Sequence, residues 1–127
     1  MRHPQVLIYE QDGRLTAMLE SLVAERGWLL RQPRDWKDFA EALSPGGPSV
    51  VVLKVGRHLE FEMTVLDRLG EVYPEAATVV VADTDHAALA GLAWDLGAAY
   101  VHILPQPRDW LPEVVAGLMK PHQESRP

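Results

Sequence analysis

Lys54 closes the stretch SVVVLKVG, and an ammonium group at the end of so apolar a run admits several chemistries. Beside a carboxylate it forms an ion pair in which each charge offsets part of the other's desolvation. At a bare strand end it reaches water along its own methylene stem. Desolvated, it becomes a nucleophile able to form a Schiff base with a carbonyl. Acidic neighbours work against that last use, because they raise the pKa of an ammonium. The carboxylates at hand are Glu10 and Asp12, which flank Gln11 just after the apolar run QVLIY. If the two runs are adjacent parallel strands, both acids become neighbours of Lys54. The same ammonium could serve as counter-ion to a small anionic ligand, or join Glu10 and Asp12 in acid–base chemistry in a small enzyme.

Other chemistries find little support. Of the five histidines, His3, His58, His86, His102 and His122, no two stand at the i, i+4 spacing of a zincin, and they read as surface residues. There is no GxGxxG and no GxxxxGK[ST], and SPGGP reads as a turn cluster. No serine sits in a nucleophile elbow. With no cysteine, disulfides and thiolate metal sites are excluded. No metal and no cofactor is expected. A net charge of −6 opposes a nucleic-acid surface, and the apolar runs are too short for a signal sequence or a membrane span. The expectation is a soluble, cytoplasmic protein of one domain.

The elements that must position Lys54 alternate in type along the chain. QVLIYE, WLLR, SVVVLKV, ATVVVAD and AYVHIL read as strands. Between them lie helical patterns. Leu15, Met18, Leu19, Leu22 and Val23 mark the first, which Gly27 closes. Asp35 caps the second, with Phe39 and Leu43 on one face. A third spans 59–72 with Leu59, Met63, Leu66 and Leu69 inward, and Pro74 lies just past its end. A fourth spans 86–96 with Leu89, Leu92, Ala93 and Leu96 inward. The last carries Leu111, Val114, Val115 and Leu118. Residues 1–120 form the domain, and the polar tail 121–127 is expected to be disordered. Strands alternating with helices predict an α/β, doubly wound, five-stranded parallel sheet with helices on both faces. Ligands of such sheets sit beyond the carboxyl ends of the strands. Glu10, Gln11, Asp12, Lys54, Ala82, Asp83 and the residues after Leu104 fall there.

Two features concern surfaces. QPRDW occurs at 32–36 and 106–110, each time between a strand and a helix. It reads as a convenient loop in which Pro ends the strand and Asp caps the helix, or as a pair of tryptophan anchors, Trp36 and Trp110. In the fourth helix the core stripe leaves Ala87, Ala90, Gly91 and Trp94 on another face. Trp94 among small residues is either a partner anchor or a ring folded back over the edge of its own sheet.

In this order the segments resemble the receiver domain of bacterial response regulators. VLIYEQDG resembles that family's first strand and acidic cluster, and PSVVVLK its third strand. LDRLGEVYPEAATVVVA resembles its third helix and fourth strand, and AWDLGAAYVHILP its Gly-Ala turn, fifth strand and Lys-Pro. The resemblance implies a flavodoxin-like, receiver-like (β/α)5 fold with strand order 2-1-3-4-5. It also implies a site that this chain has changed. Lys54 stands where the family keeps its phosphate-accepting aspartate, Ala82 where it keeps a hydroxyl (Thr84 is close by), and Leu104 where it keeps a lysine. Gln11 replaces one metal-binding acid beside Glu10, with Asp12 one place further on, and Val101 replaces an aromatic switch residue. Phosphoryl transfer of this kind needs a carboxylate nucleophile and a bound divalent cation, and an ammonium in the pocket opposes both.

The sequence therefore reads as a phosphorylation-independent pseudo-receiver, not an enzyme. It is expected to be a stand-alone interaction module with no output domain attached. Its partner would be a signalling or regulatory protein, a second copy of the chain, or both. In the resembling family, partners and dimers use the face made by the fourth helix, fifth strand and fifth helix, which here would carry Ala90, Trp94, Val101 and Trp110.

Overall fold

The structure is a computed structural model that describes residues 4–82, 87–103 and 110–119. Its elements are β1 (Gln5–Tyr9), α1 (Arg14–Arg26), β2 (Leu29–Arg31), α2 (Trp36–Leu43), β3 (Ser49–Val55), α3 (Leu59–Val72), β4 (Ala77–Ala82), α4 (Ala87–Asp95), β5 (Tyr100–Ile103) and α5 (Trp110–Leu118). The strands form one parallel sheet in the order 2-1-3-4-5. This is the expected doubly wound arrangement, and it places β3 at the centre.

The period-2 alternation of the strands builds two cores. Leu7, Tyr9, Val51, Leu53, Val55, Val80 and Ala82 face α2, α3 and α4. Val6, Ile8, Val50, Val52, Val79 and Val81 face α1 and α5. Both faces of β1, β3 and β4 are thus dry, which is why their sequences are apolar runs without alternation. The register sets Tyr9 beside Leu53 and Lys54 beside Val81. β1 therefore ends one residue short of Lys54, and the β1–α1 loop passes next to the ammonium.

Local signals act where expected. Gly27 takes the left-handed conformation that ends α1, and the Asp35 side chain accepts from the Asp38 N–H at the start of α2. α1 presents Leu15, Leu19 and Val23 inward, and α5 presents Leu111 and Val115.

Three expectations need correction. The inner stripe of α3 is Glu62, Val65, Leu66 and Leu69; Leu59 is exposed and Met63 only half-buried. The same 3.6-residue period fits both sets, and the helix has rotated so that Glu62 is inside. In α4 Ala93 is buried and Leu89 and Leu96 pack against the core, but Leu92 is 44% exposed. His102 is buried at 1% exposure, because it points from β5 into the sheet–helix layer where a surface residue was expected. His58 is exposed as expected. Asp83, Thr84, His86, Leu104, His3, His122 and the tail lie outside the described residues. Among the described residues no helix is long and apolar enough to cross a membrane.

Candidate functional site

The chemistry-bearing side chains converge where β1, β3 and β4 end. Lys54 belongs by alternation to the α1/α5 side of the sheet, and its chain is 14% exposed. Its Nζ lies 3.3 Å from Asp12 Oδ2 and donates to it. Asp12 sits in the loop between β1 and α1, where its Oδ1 accepts the Arg14 backbone N–H at 3.1 Å. The Arg14 guanidinium stands 3.6 Å from Asp12 Oδ2. The Arg14 N–H, opposed by partial burial and aided by Lys54, holds the Asp12 carboxyl at about 2, below its ordinary 3.8.

Glu10 couples to this pair through Asp12, whose pKa it helps to lower. Its carboxylate turns to the N-terminus of α1, where Oε1 accepts from the Leu15 N–H at 2.8 Å. Oε2 accepts from the Thr16 N–H at 2.8 Å and the Thr16 hydroxyl at 2.7 Å. The first turn of a helix presents unsatisfied N–H groups and a positive dipole end, and Glu10 answers both. Gly13 precedes α1 with φ 77°, so the chain enters without a side-chain cap of its own. Gln11 donates from Nε2 to the Tyr9 hydroxyl at 3.3 Å.

Sequence reasoning missed Glu62. It is 1% exposed, yet its carboxylate reaches back to the β3–α3 loop, accepting the Gly56 N–H at 2.8 Å and the His58 N–H at 3.3 Å. Gly56 has φ 129°, a conformation that favours glycine. The available signal was an acid in register with Val65, Leu66 and Leu69, at i, i+3, i+4 and i+7. Burial, reinforced by the Glu62 charge, pushes the Tyr9 hydroxyl above its ordinary value. Tyr9 also packs on Phe39 and Phe61, with ring centroids 6.5 and 5.9 Å away.

Between these groups lies a cavity of about 230 Å³ lined by Gln11, Asp12, Lys54, Val55, Gly56, Arg57 and Glu62. Ala82 closes β4 beside it in register with Val55, and is buried. Among the described residues no group of three His, Cys, Asp or Glu side chains is placed to hold a metal ion.

None of Ala90, Trp94, Val101 and Trp110, the residues expected to meet a partner, lines this cavity. Ala90 is half-buried, while Trp94 stands 50% exposed on α4. Val101 is half-buried on the α3/α4 face of the sheet. Trp110 is 50% exposed at the start of α5, which packs on the opposite face. The two QPRDW tryptophans part company here. Trp36 is half-buried, stacked 6.4 Å from Phe39 and tilted 6.0 Å from Tyr73, with the Arg68 guanidinium 5.1 Å from its ring centroid. Its role is packing between α2 and α3.

No protein-family model matches the sequence, and no curated protein is significantly similar to it. Solved structures are similar in fold. A response regulator from Thermotoga maritima superposes with a TM-score of 0.75 at 18% identity, covering 94% of this chain and 99% of the other. The beryllofluoride-activated NtrC4 receiver domain dimer gives 0.74 at 16% identity, over 91% and 96% of the two chains. A CheY-like receiver domain protein from Methanospirillum hungatei JF-1 gives 0.74 at 13% identity, over 98% and 100%. The chain has the CheY-like fold of receiver domains.

Proposed function

We propose that this chain is a receiver-fold interaction module that works without phosphoryl transfer, docking another protein, first of all a second copy of itself, through the α4 side. The observation that carries the reading is the mismatch in α4 between composition and burial. From Ala87 to Trp94 the helix has no polar side chain, yet Leu92 is 44% and Trp94 50% exposed. A helix apolar all round belongs in an interior, and tryptophan is enriched among the residues that anchor interfaces. That one structural neighbour was solved as a receiver-domain dimer agrees with this use of the fold.

The strand ends support the other half of the reading. The fold's usual chemistry would place a divalent cation among acids at the carboxyl ends of β1 and β3. The described residues do not fit one. Both Glu10 oxygens are engaged at α1, Gln11 is neutral, and the Lys54 ammonium occupies the end of β3 within 3.3 Å of Asp12. An ammonium cannot form an acyl phosphate. Its hydrogen bond to Asp12 also works against a Schiff-base or acid–base role, because the amine is held by the carboxylate and not offered to a substrate. Control would then come from partner binding.

The test is sedimentation of the wild type against Trp94→Ala across a concentration series. Self-association weakened about tenfold or more with an unchanged circular dichroism spectrum is expected. Equal sedimentation of the two proteins contradicts the α4 interface.

A further inference from the structure

The cavity beside the ion pair has an imbalance in its polar groups. Its acids are committed to the chain itself. Each Glu62 oxygen takes a backbone N–H, from Gly56 and His58, and Asp12 takes the Arg14 N–H and the Lys54 ammonium. Arg57 is different. It is exposed and lines the cavity, but among the described residues no carboxylate lies within ion-pair distance of it. A guanidinium offers five N–H donors in a planar fork that matches a carboxylate or phosphate. Gln11, on the same wall, gives one amide N–H to Tyr9 and keeps its carbonyl and second N–H.

We infer that this cavity is a metal-independent site for a small organic anion, a carboxylate or phosphate monoester, gripped by Arg57 with Gln11 and with Lys54 contributing charge. The anion supplies an acceptor for the Arg57 guanidinium, and Val55 on the wall is apolar enough for a short carbon skeleton. The volume of about 230 Å³ limits its size, since sites for drug-sized ligands occupy roughly 300–1,000 Å³. The proposal does not depend on the interface proposed for α4, none of whose residues lines the cavity.

The test is an amide-shift titration of the full chain in magnesium-free buffer. Inorganic phosphate and succinate form separate arms, and sodium chloride controls for ionic strength. Saturable shifts at Gln11, Gly56 and Arg57 in either arm are expected, and the arm that saturates assigns the ligand class. Arg57→Gln is expected to weaken that binding about tenfold, the loss of one charge-assisted contact, with self-association unchanged. Shifts no larger than those with chloride overturn the proposal. So does saturation unchanged in Arg57→Gln, or saturation that appears only when Mg²⁺ is added.

Discussion

Lys54 and Asp12 hold one another at the end of β3, and the pair has a measurable signature in acid. Asp12 titrates at about 2 when folded against an ordinary 3.8. Its contribution to stability is therefore present above 3.8 and lost as the pH falls toward 2. The largest cause is the Arg14 backbone N–H, which substitution of Lys54 leaves in place. In Lys54→Met the Asp12 carboxyl is expected to titrate higher than in the wild type and still below 3.8, read by carboxyl carbon shifts. An unchanged titration would mean the pair contributes nothing there. Glu62 is a more costly residue to remove. Glu62→Ala strips the acceptor from two backbone N–H groups at a closed loop, and a loss of about 1–3 kcal/mol in urea unfolding is expected. Glu62→Gln, which keeps the size and one acceptor, should lose less; equal losses would assign the effect to the lost carboxylate charge and not to packing. At this scale the sequence was half legible. The order of strands put both Glu10 and Asp12 beside Lys54 without choosing between them, because an acid after a strand can face the pocket or turn to the coming helix. Only the geometry of Leu15 and Thr16 decides between them.

Among the elements, α3 and α4 show how much a periodic pattern leaves open. The length of α3 followed from its pattern, with Pro74 beyond its end, but its rotation did not. Leu59, Met63, Leu66 and Leu69 satisfy the helical period as well as Glu62, Val65, Leu66 and Leu69 do, and apolarity alone prefers the first set. The preference fails because Glu62 can be buried with both oxygens hydrogen-bonded, which removes most of the penalty for placing a carboxylate inside. In α4 nearly every residue is apolar, so the pattern has no polar face to fix the orientation. The structure fixes it through Ala93, the small residue that lies flat on the sheet, and turns Trp94 outward. A surface truncation of this kind should change thermal stability little. Trp94→Ala is expected to shift unfolding by about 0.5 kcal/mol or less, while weakening association as described above. A large stability loss in the dilute monomer would place the ring within its own domain's packing.

On the scale of the whole molecule, the fold was legible because four independent signals agree. Apolar runs buried on both sides, amphipathic segments between them, turn residues at the joints and a right-handed connection rule leave few arrangements other than a doubly wound sheet. Function was less legible, since a fold hosts many functions and the site decides among them. The reading proposed above rests on Lys54, which stands at the end of the central strand where phosphoryl transfer would need an attacking carboxylate, and on Glu10, whose oxygens are engaged at a helix terminus. The most direct test records amide spectra with beryllofluoride in the presence and absence of Mg²⁺. Identical spectra with and without the metal at Glu10, Lys54 and Ala82 are expected. A saturable shift at those residues requiring Mg²⁺ and beryllofluoride together would contradict phosphorylation independence.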